Sequence, residues 1–296
     1  MQNKLSDIER QRIRIALVED GGTADVTSLA TISETAEGTG TLLAKADGVL
    51  AGLDIARHTF LLYEVLHGKE SPIFEFTDIV SDGDQVKAGD EIAIIRAQLR
   101  TLLAAERVAL NFLQRMSGIA TLTRAFVDAV SGTSATILDT RKTAPLLRPF
   151  DRYAVRAGGG TNHRYSLSDM ILVKDNHIAA NGGDIRLVIE RVKEFLSTPD
   201  QARVPVEIEV TSLEQLETVL RFGNGVIDRV MFDNFEIGEL REAVELNHGI
   251  FETEASGGVT METVRQIAET GVNFISVGAL THSVLALDIS FEIEPI

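Results

Sequence analysis

Cysteine is absent from the 296-residue sequence. Without it there is no disulfide, no thiolate nucleophile and no cysteine-ligated zinc or iron, so a metal site would have to use histidine, carboxylate or other oxygen ligands. Long apolar runs are absent as well, since no stretch approaches the ~18 residues of a membrane helix. The first residues carry charges at every few positions, so we expect no secretory signal and a cytoplasmic protein.

Basic residues are scarce: 28 Lys and Arg stand against 44 Asp and Glu, which gives a net charge of -16. This balance argues against nucleic acid or an anionic membrane as a partner. Between Asp139 and His177, however, seven basic residues stand against four acidic ones, a local charge of +3. A cationic segment in an acidic protein indicates either a focused anion site or a solvated basic loop.

With 44% hydrophobic residues, the chain has the composition of a packed globular protein, and its length suits one large barrel or two domains. The first hundred residues predict an α+β layer, with a helix at 5–19, a loop at 19–28, strands within 39–52 and 74–97, and a helix at 53–66. The turn-rich segment 79–92 is similar in pattern to a lipoyl or biotin carrier fold, but no lysine lies at a hairpin tip. We interpret that similarity as sheet geometry alone.

A long helix is predicted over residues 101–118. From Leu102 to Leu113 its only polar residues are Glu106, Arg107 and Asn111, so the helix must be buried on several faces. An arginine in such a helix needs a partner. One reading is an ordinary ion pair between Arg107 and Glu106.

From about residue 134, short apolar strands alternate with helical segments, which implies a parallel sheet with right-handed crossovers. About six such units that close on themselves would form an incomplete β/α barrel. The predicted strands are 134–140, 169–175, 205–211, 228–234, 249–258 and 272–279, and the predicted helices between them are 183–196, 212–222, 237–247 and 261–270.

Active sites of such barrels lie at the carboxyl ends of the strands, so the residues that follow each strand are the candidates. Cations follow the first two strands, carboxylates the middle two and glycines the last two, an order that suits an anionic substrate with a metal-bound group and a phosphate. The candidates are Arg141, Lys142, Lys174, His177, Glu207, Glu209, Asp233, Ser256, Gly257, Gly258 and Gly278.

Each candidate group has more than one reading. Glu209 and Asp233 end consecutive strands and could hold Mg²⁺, or they could be solvated acids. Lys142 and Lys174 could bind anionic groups, or one could form a Schiff base as in barrel aldolases. His163 and Arg164 precede a strand and suit carboxylate recognition, although His163 could equally be a capping residue.

Motifs along nearly the whole chain resemble those of the quinolinate phosphoribosyltransferases. The matching segments are EDGGTADVTS, ADGVLAG, ERVALNFLQRMSGIAT, DTRKTAPLLR, GGGTNHRYSLSDMILVKDNHI, EIEV, MFDNF, EASGGV and ISVGALTHS. Ala24 and Ala97 depart from the family, which often has glycine at these positions. The resemblance implies an N-terminal α+β sandwich domain over residues 1–116, an incomplete, about six-stranded β/α barrel over 117–284, and a tail at 285–296 that packs back on the N-terminal domain.

The resemblance also implies the reaction. Quinolinate would attack C1 of phosphoribosyl pyrophosphate, and loss of pyrophosphate and carbon dioxide would leave nicotinate mononucleotide, with Mg²⁺ as cofactor and a dimer or a hexamer of dimers as the assembly. Arg141, His163, Arg164 and Lys174 would bind quinolinate, together with Arg107 from a partner subunit. Lys142 would reach anionic groups near the reacting atoms. Glu209 and Asp233 would hold the ribose hydroxyls and Mg²⁺, and the 5-phosphate would bind at Ser256, Gly257, Gly258 and Gly278.

Three other functions compete with this one. A related protein of molybdenum transport operons shares the fold, and the intact NHR and ERVALN motifs favour quinolinate over it. A Schiff-base aldolase would use Lys142 or Lys174 covalently, and borohydride trapping would reveal it. A phosphoribosyl-binding module without activity would not require the full set of cations and carboxylates.

Overall fold

The computed structural model describes residues 5–21, 24–67, 74–198 and 202–296. These residues form two compact units. Unit 1 comprises Met1–Arg124, Thr143–Gly159 and Thr281–Ile296, and unit 2 comprises Ala125–Lys142 and Gly160–Leu280. No helix in the described residues is both long and apolar enough to cross a membrane.

The elements follow one another in this order. In the first half of the chain they are α1 (Asp7–Glu19), α2 (Val26–Thr31), β1 (Glu37–Ala44), β2 (Gly48–Val49), α3 (Leu53–Leu66), β3 (Glu75–Asp78), β4 (Gln85–Val86), β5 (Glu91–Gln98) and α4 (Leu99–Ala129). The second half contains β6 (Thr136–Leu138), α5 (Arg148–Ala157), β7 (Ile171–Val173), α6 (Asp175–Ala179), α7 (Ile185–Leu196), β8 (Val206–Val210), α8 (Leu213–Phe222), β9 (Arg229–Asp233), α9 (Ile237–Asn247), β10 (Glu252–Ser256), α10 (Val264–Ala268), β11 (Phe274–Ser276), α11 (Ala279–His282) and β12 (Ile289–Pro295).

Unit 1 is built on an antiparallel sheet in the order β12-β1-β5-β3. The last strand of the chain pairs with β1 from Gly38 opposite Pro295 to Ala44 opposite Ile289. Alternate residues of β1 are buried, so one face of the sheet forms the core, where Phe60 of α3 contacts Phe291 with ring centroids 5.7 Å apart. The C-terminal segment is therefore an integral part of this unit.

Local signals explain the helices of unit 1. Ser6 and Glu9 form a reciprocal capping box that starts α1, and α3 has the bounds that the sequence predicts. Helix α2 begins within the segment predicted as a loop, because the Asp25 carboxylate accepts the N–H groups of Thr27 and Ser28. Two residues of that predicted loop, 22 and 23, lie outside the described residues.

Helix α4 is longer than predicted and is mostly buried on several faces, as its composition indicates. Its exposed positions in the predicted segment include Leu103, Arg107 and Asn111, which follow one another at i+4 spacing and so form one stripe. Arg107 has a side chain 61% exposed and lies 3.5 Å from a carboxylate oxygen of Glu106. The ion pair that the sequence allowed is thus present, but it is a surface pair.

Unit 2 contains a six-stranded parallel sheet in the order β6-β11-β10-β9-β8-β7. Each strand lies within a segment predicted as a strand, and the structure confirms the incomplete β/α barrel. Among the described residues β6 and β7 do not pair with each other, so the barrel is open there. The strand β8 is buried at every position, as expected for a parallel strand covered on both faces.

Candidate active site

The carboxyl ends of the unit 2 strands surround an open cavity of about 650 Å³. Its lining residues are Thr140, Arg141, Lys142, His163, Arg164, Leu172, Lys174, Glu209, Met231, Asp233, Asn234, Ser256, Gly257, Gly258 and Ser276. Ten of the twelve residues to which the family resemblance assigns a role are among them. Of the other two, Gly278 does not line the cavity and Arg107 belongs to unit 1.

The positions of the acidic side chains follow from the alternation of side chains between the two faces of a strand. Glu207 and Glu209 lie on the same face of β8, and both are buried, with Ile208 between them on the opposite face. Glu209 reaches the cavity, and Asp233 enters it from the end of the neighbouring strand β9. Burial raises the pKa of Asp233, and the negative charge of Glu209 raises it further, so the two carboxylates share one region of negative potential.

Lys174 lies at the boundary between the cationic and the acidic sides of the cavity. It follows β7, and its Nζ donates a hydrogen bond to Glu209 Oε2 at 2.5 Å. A residue predicted to bind substrate anions is thus paired with one predicted to bind metal, a contact that the sequence does not predict. The lysine retains a side chain 45% exposed, so it is accessible from the cavity.

Two guanidinium groups lie close together on the cationic side. Burial lowers the pKa of Arg164, and the positive charge of Arg141 lowers it further. Arg164 Nη1 donates to the carbonyl of Met170 at 3.0 Å, which directs the side chain. Like charges held together in this way favour the binding of an anion between them.

His163 forms the floor of the cavity and contacts buried carboxylates. Its Nε2 lies 3.1 Å from Glu207 Oε2 and 3.4 Å from Glu254 Oε2. Burial lowers the pKa of His163, but the hydrogen bonds and charges of the two glutamates outweigh this and raise it to about 9. The N–H of Arg164 donates to Nδ1 at 2.7 Å and opposes a second proton there. This contact acts against the rise in the pKa of His163, because a donor already occupies Nδ1, and it leaves the ring proton on Nε2, facing the two glutamates.

Sequence reasoning missed Glu254 and Arg229, and it placed Asp139 at the end of a strand without assigning it a role; none of the three lines the cavity. Glu254 accepts hydrogen bonds from Arg229 Nη1 at 3.0 Å and from the Ser276 hydroxyl. The alternation of acidic and small residues along β10 was a signal for Glu254, but only the assembled sheet shows that Glu254 lies on the buried face near His163.

His177, which the sequence left ambiguous, has a structural role. Its Nδ1 accepts the backbone N–H of Lys174 at 2.8 Å at the start of α6, and the residue lines a separate groove beside α7. It is absent from the lining of the active-site cavity.

The glycines at the end of β10 allow a close approach of backbone segments. A Cβ on Gly257 would lie 2.2 Å from Asn234 Oδ1, and the φ of +94° disfavours other residues. Gly258 also has a positive φ, of +59°, and a Cβ there would meet nothing within 4 Å. Consecutive residues of this kind form a concave turn whose N–H groups can converge on an anion.

The carboxylates Glu209 and Asp233 fit a divalent cation that also binds substrate. Two oxygen ligands on adjacent strand ends suit Mg²⁺, which usually keeps several waters and takes its remaining ligands from substrate phosphates. In the described residues, the one group of three His, Asp or Glu side chains that could ligate together is His163, Glu207 and Glu254. There the guanidinium of Arg229 already compensates Glu254.

Family models match nearly the whole chain. The model of the quinolinate phosphoribosyl transferase N-terminal domain matches residues 25–117, and that of the C-terminal domain matches residues 119–292.

Individual relatives agree with the family models. The chain is 45% identical over 295 residues to a chloroplastic carboxylating nicotinate-nucleotide pyrophosphorylase of Arabidopsis thaliana, covering 95% of this chain and 82% of the relative. It is 41% identical to a probable carboxylating nicotinate-nucleotide pyrophosphorylase of Bacillus subtilis, covering 93% and 90%. In the crystal structure of NadC from Streptococcus pyogenes, the sequence is 35% identical to this chain, the TM-score is 0.90 and both chains are fully covered. This chain therefore belongs to the quinolinate phosphoribosyltransferases, the decarboxylating phosphoribosyltransferases that form nicotinate mononucleotide in NAD biosynthesis.

Proposed function

We propose that this chain joins quinolinate to phosphoribosyl pyrophosphate in the cavity of unit 2. The observation that carries the proposal is the division of charge within the cavity: adjacent guanidiniums of Arg141 and Arg164 on one side, and the carboxylates of Glu209 and Asp233 on the other. Such a cavity suits a dianionic acceptor next to a ribosyl group that becomes positively charged during the reaction.

Quinolinate would occupy the cationic side. Arg141, Arg164 and Lys174 supply three permanent positive charges for its two carboxylates, and His163 forms the floor beneath them. Arginine suits this role because its planar fork can bind a carboxylate through two hydrogen bonds. We also assign Lys142, at the rim after β6, to anionic groups near the reacting atoms.

The phosphoribosyl group would occupy the acidic side. Glu209 and Asp233 would hold the ribose hydroxyls together with Mg²⁺, and the turn of Ser256, Gly257 and Gly258 would bind the 5-phosphate through backbone N–H groups. Gly278, which follows the last barrel strand, stays a prediction for the same phosphate. Mg²⁺ would supply positive charge against the leaving pyrophosphate.

The chain's residues then account for both steps. The ring nitrogen of quinolinate attacks C1 of the ribose as the bond between C1 and the pyrophosphate oxygen breaks. The nearby carboxylates stabilise the positive charge that develops on the ribosyl carbon. Alkylation turns the ring into a pyridinium, which accepts the electron pair left by the departing 2-carboxylate. Carbon dioxide leaves, a proton takes its place, and no organic cofactor is required.

We further propose that the protein works in the cytoplasm as a dimer or a hexamer of dimers. Arg107 would enter a partner subunit's cavity from the exposed stripe that it shares with Leu103 and Asn111 on α4. Its mostly exposed guanidinium supports this role, because the side chain is accessible to a second subunit.

The purified protein tests the proposal directly. Incubated with quinolinate, phosphoribosyl pyrophosphate and Mg²⁺, it should release nicotinate mononucleotide, pyrophosphate and carbon dioxide in equal amounts. EDTA should abolish the reaction and excess Mg²⁺ restore it, and Glu209→Gln should raise the Mg²⁺ concentration needed for half-maximal rate. A folded protein that forms no nicotinate mononucleotide would refute the proposal, and an EDTA-insensitive rate would refute the metal site.

A further inference from the structure

Three buried carboxylates converge on His163. Asp139, Glu207 and Glu254 are each fully buried, with 0% exposure. Asp139 Oδ1 accepts the backbone N–H of His163 at 2.7 Å, while Oε2 atoms of Glu207 and Glu254 lie 3.1 and 3.4 Å from the imidazole Nε2. His163 is therefore held by three acids from different parts of the sheet, one at the end of β6, one on β8 and one on β10.

Such a cluster is costly to the fold. Buried carboxylates lose their hydration, and apolar residues of similar size commonly pack as well or better. Arg229 and the Ser276 hydroxyl compensate Glu254 from the other side. Because Arg229 already provides a positive charge here, the cluster does not need a metal ion. His163 is the member of the cluster that lines the cavity.

Both nitrogens of the imidazole are constrained. Nδ1 accepts the Arg164 N–H at 2.7 Å, so the proton lies on Nε2 and points to the two glutamates. The Asp139 carboxylate also accepts a hydrogen bond from the Asn162 side chain at 2.6 Å. The ring can neither rotate nor exchange tautomers without breaking a buried contact, and the same contacts fix the segment that leads to Arg164.

We propose that Glu254 and Glu207 are positioning residues that set the ring plane and tautomer of His163 for quinolinate, with Asp139 holding the backbone of the same segment. The inference rests on the proposed function, since it assigns these residues to the quinolinate side of that cavity. None of the three needs to touch substrate, and their effect passes through His163.

The variant Glu254→Gln tests the role of the acid. Glutamine keeps the size of the side chain, but its amide can donate to Nε2 and so favours the other tautomer, which places a proton against the Arg164 N–H. We expect the KM for quinolinate to rise on the order of tenfold, because the ring loses a buried carboxylate charge 3.4 Å from its Nε2, with the KM for phosphoribosyl pyrophosphate within about twofold of wild type. Glu207→Gln should act in the same direction, and it serves if Glu254→Gln does not fold.

Thr253→Val is the matched control. Thr253 precedes Glu254 on β10, is also buried, and exchanges hydrogen bonds with Asn273 rather than with His163. It should lower the melting temperature through the lost hydrogen bonds and leave the quinolinate KM unchanged. An equal rise of the quinolinate KM in Thr253→Val would show that any weakening of β10 has this effect, and would overturn the proposal.

A double-mutant cycle with His163→Ala separates positioning from a general structural role. If Glu254 acts through His163, Glu254→Gln should cause no further rise of the quinolinate KM in the His163→Ala background. Two results would overturn this inference alone, provided that the wild type is active. In the first, the effects of the two substitutions on the quinolinate KM multiply; in the second, Glu254→Gln raises the KM values of both substrates equally. A wild type that forms no nicotinate mononucleotide overturns the proposed function and this inference with it.

Discussion

Replacement of Arg164 by alanine should weaken quinolinate binding without loss of the fold. The guanidinium lines the cavity, and its Nη1 donates a hydrogen bond to the Met170 carbonyl. A hydrogen bond to a charged group contributes about 1.5 to 3 kcal/mol, and partial solvent exposure of Arg164 places the loss of a carboxylate contact at the lower end, about 1.5 to 2 kcal/mol. That loss corresponds to a roughly 13- to 30-fold rise of the quinolinate KM.

The stability of the ligand-free protein should change little. Arg164→Ala removes the hydrogen bond that the charged guanidinium donates to the Met170 carbonyl, which costs about 1.5 kcal/mol, but it also removes the repulsion between Arg164 and Arg141. The two effects oppose each other, so thermal unfolding should occur within a few degrees of wild type. A cationic site that binds an anion differs in this respect from a buried ion pair, where removal of one partner leaves an uncompensated charge and destabilises the protein.

Initial rates of nicotinate mononucleotide formation, measured while each substrate is varied in turn, give both KM values. Arg164→Lys is the control, because it keeps the charge and loses the planar fork, and its quinolinate KM should lie between those of Arg164→Ala and wild type. An unchanged quinolinate KM in Arg164→Ala would refute the assignment. An equal rise in the KM for phosphoribosyl pyrophosphate would show that the residue supports the whole cavity instead.

Three more predictions concern the substrate, the assembly and the fold. Nicotinate should not replace quinolinate, because its single carboxylate leaves cations uncompensated; comparable turnover of nicotinate in the same assay would contradict the substrate assignment. Arg107→Ala and Lys174→Ala chains should each be inactive alone but regain about a quarter of wild-type activity when refolded together, since half of randomly assembled dimers would carry one intact site; mixtures that stay inactive despite subunit exchange would confine Arg107 to its own subunit. Gly118→Ala should lower the free energy of unfolding by roughly 1 to 3 kcal/mol, because its Cβ would lie 2.1 Å from the Leu285 carbonyl oxygen, whereas Gly238→Ala in α9 meets nothing within 4 Å and should be neutral or stabilising in the same denaturant titration.

Much of the barrel and of the cavity could be predicted from the sequence. Short apolar strands alternating with amphipathic helices permit few arrangements other than a parallel sheet, and the carboxyl ends of parallel strands meet at one edge. Residues that follow those strands, such as Lys142 and Asp233, therefore line one cavity although they are far apart in the chain. Local chemistry likewise set the bounds of α3, whose apolar periodicity is complete within its own segment.

Helices with weaker local signals were missed. Helix α5 contains Arg148 and Arg152, which read as part of the cationic segment, and its helical face becomes evident only where Phe150 and Val155 are buried. A short amphipathic stretch carries too few apolar positions to distinguish a helix from a loop without its packing partners.

Only the tertiary structure decided how the charged residues pair. The sequence identifies Lys174 and Glu209 as site residues, but their contact depends on the pairing of β7 with β8. The sheet order places β9 between β8 and β10, and both outer strands turn a glutamate toward His163, which arrives from a different segment. Strand alternation determines which residues share a face. The order and pairing of the strands decide which face is buried and which distant side chain compensates a buried charge. Electrostatic pairing depends on distance in space and not on separation along the chain.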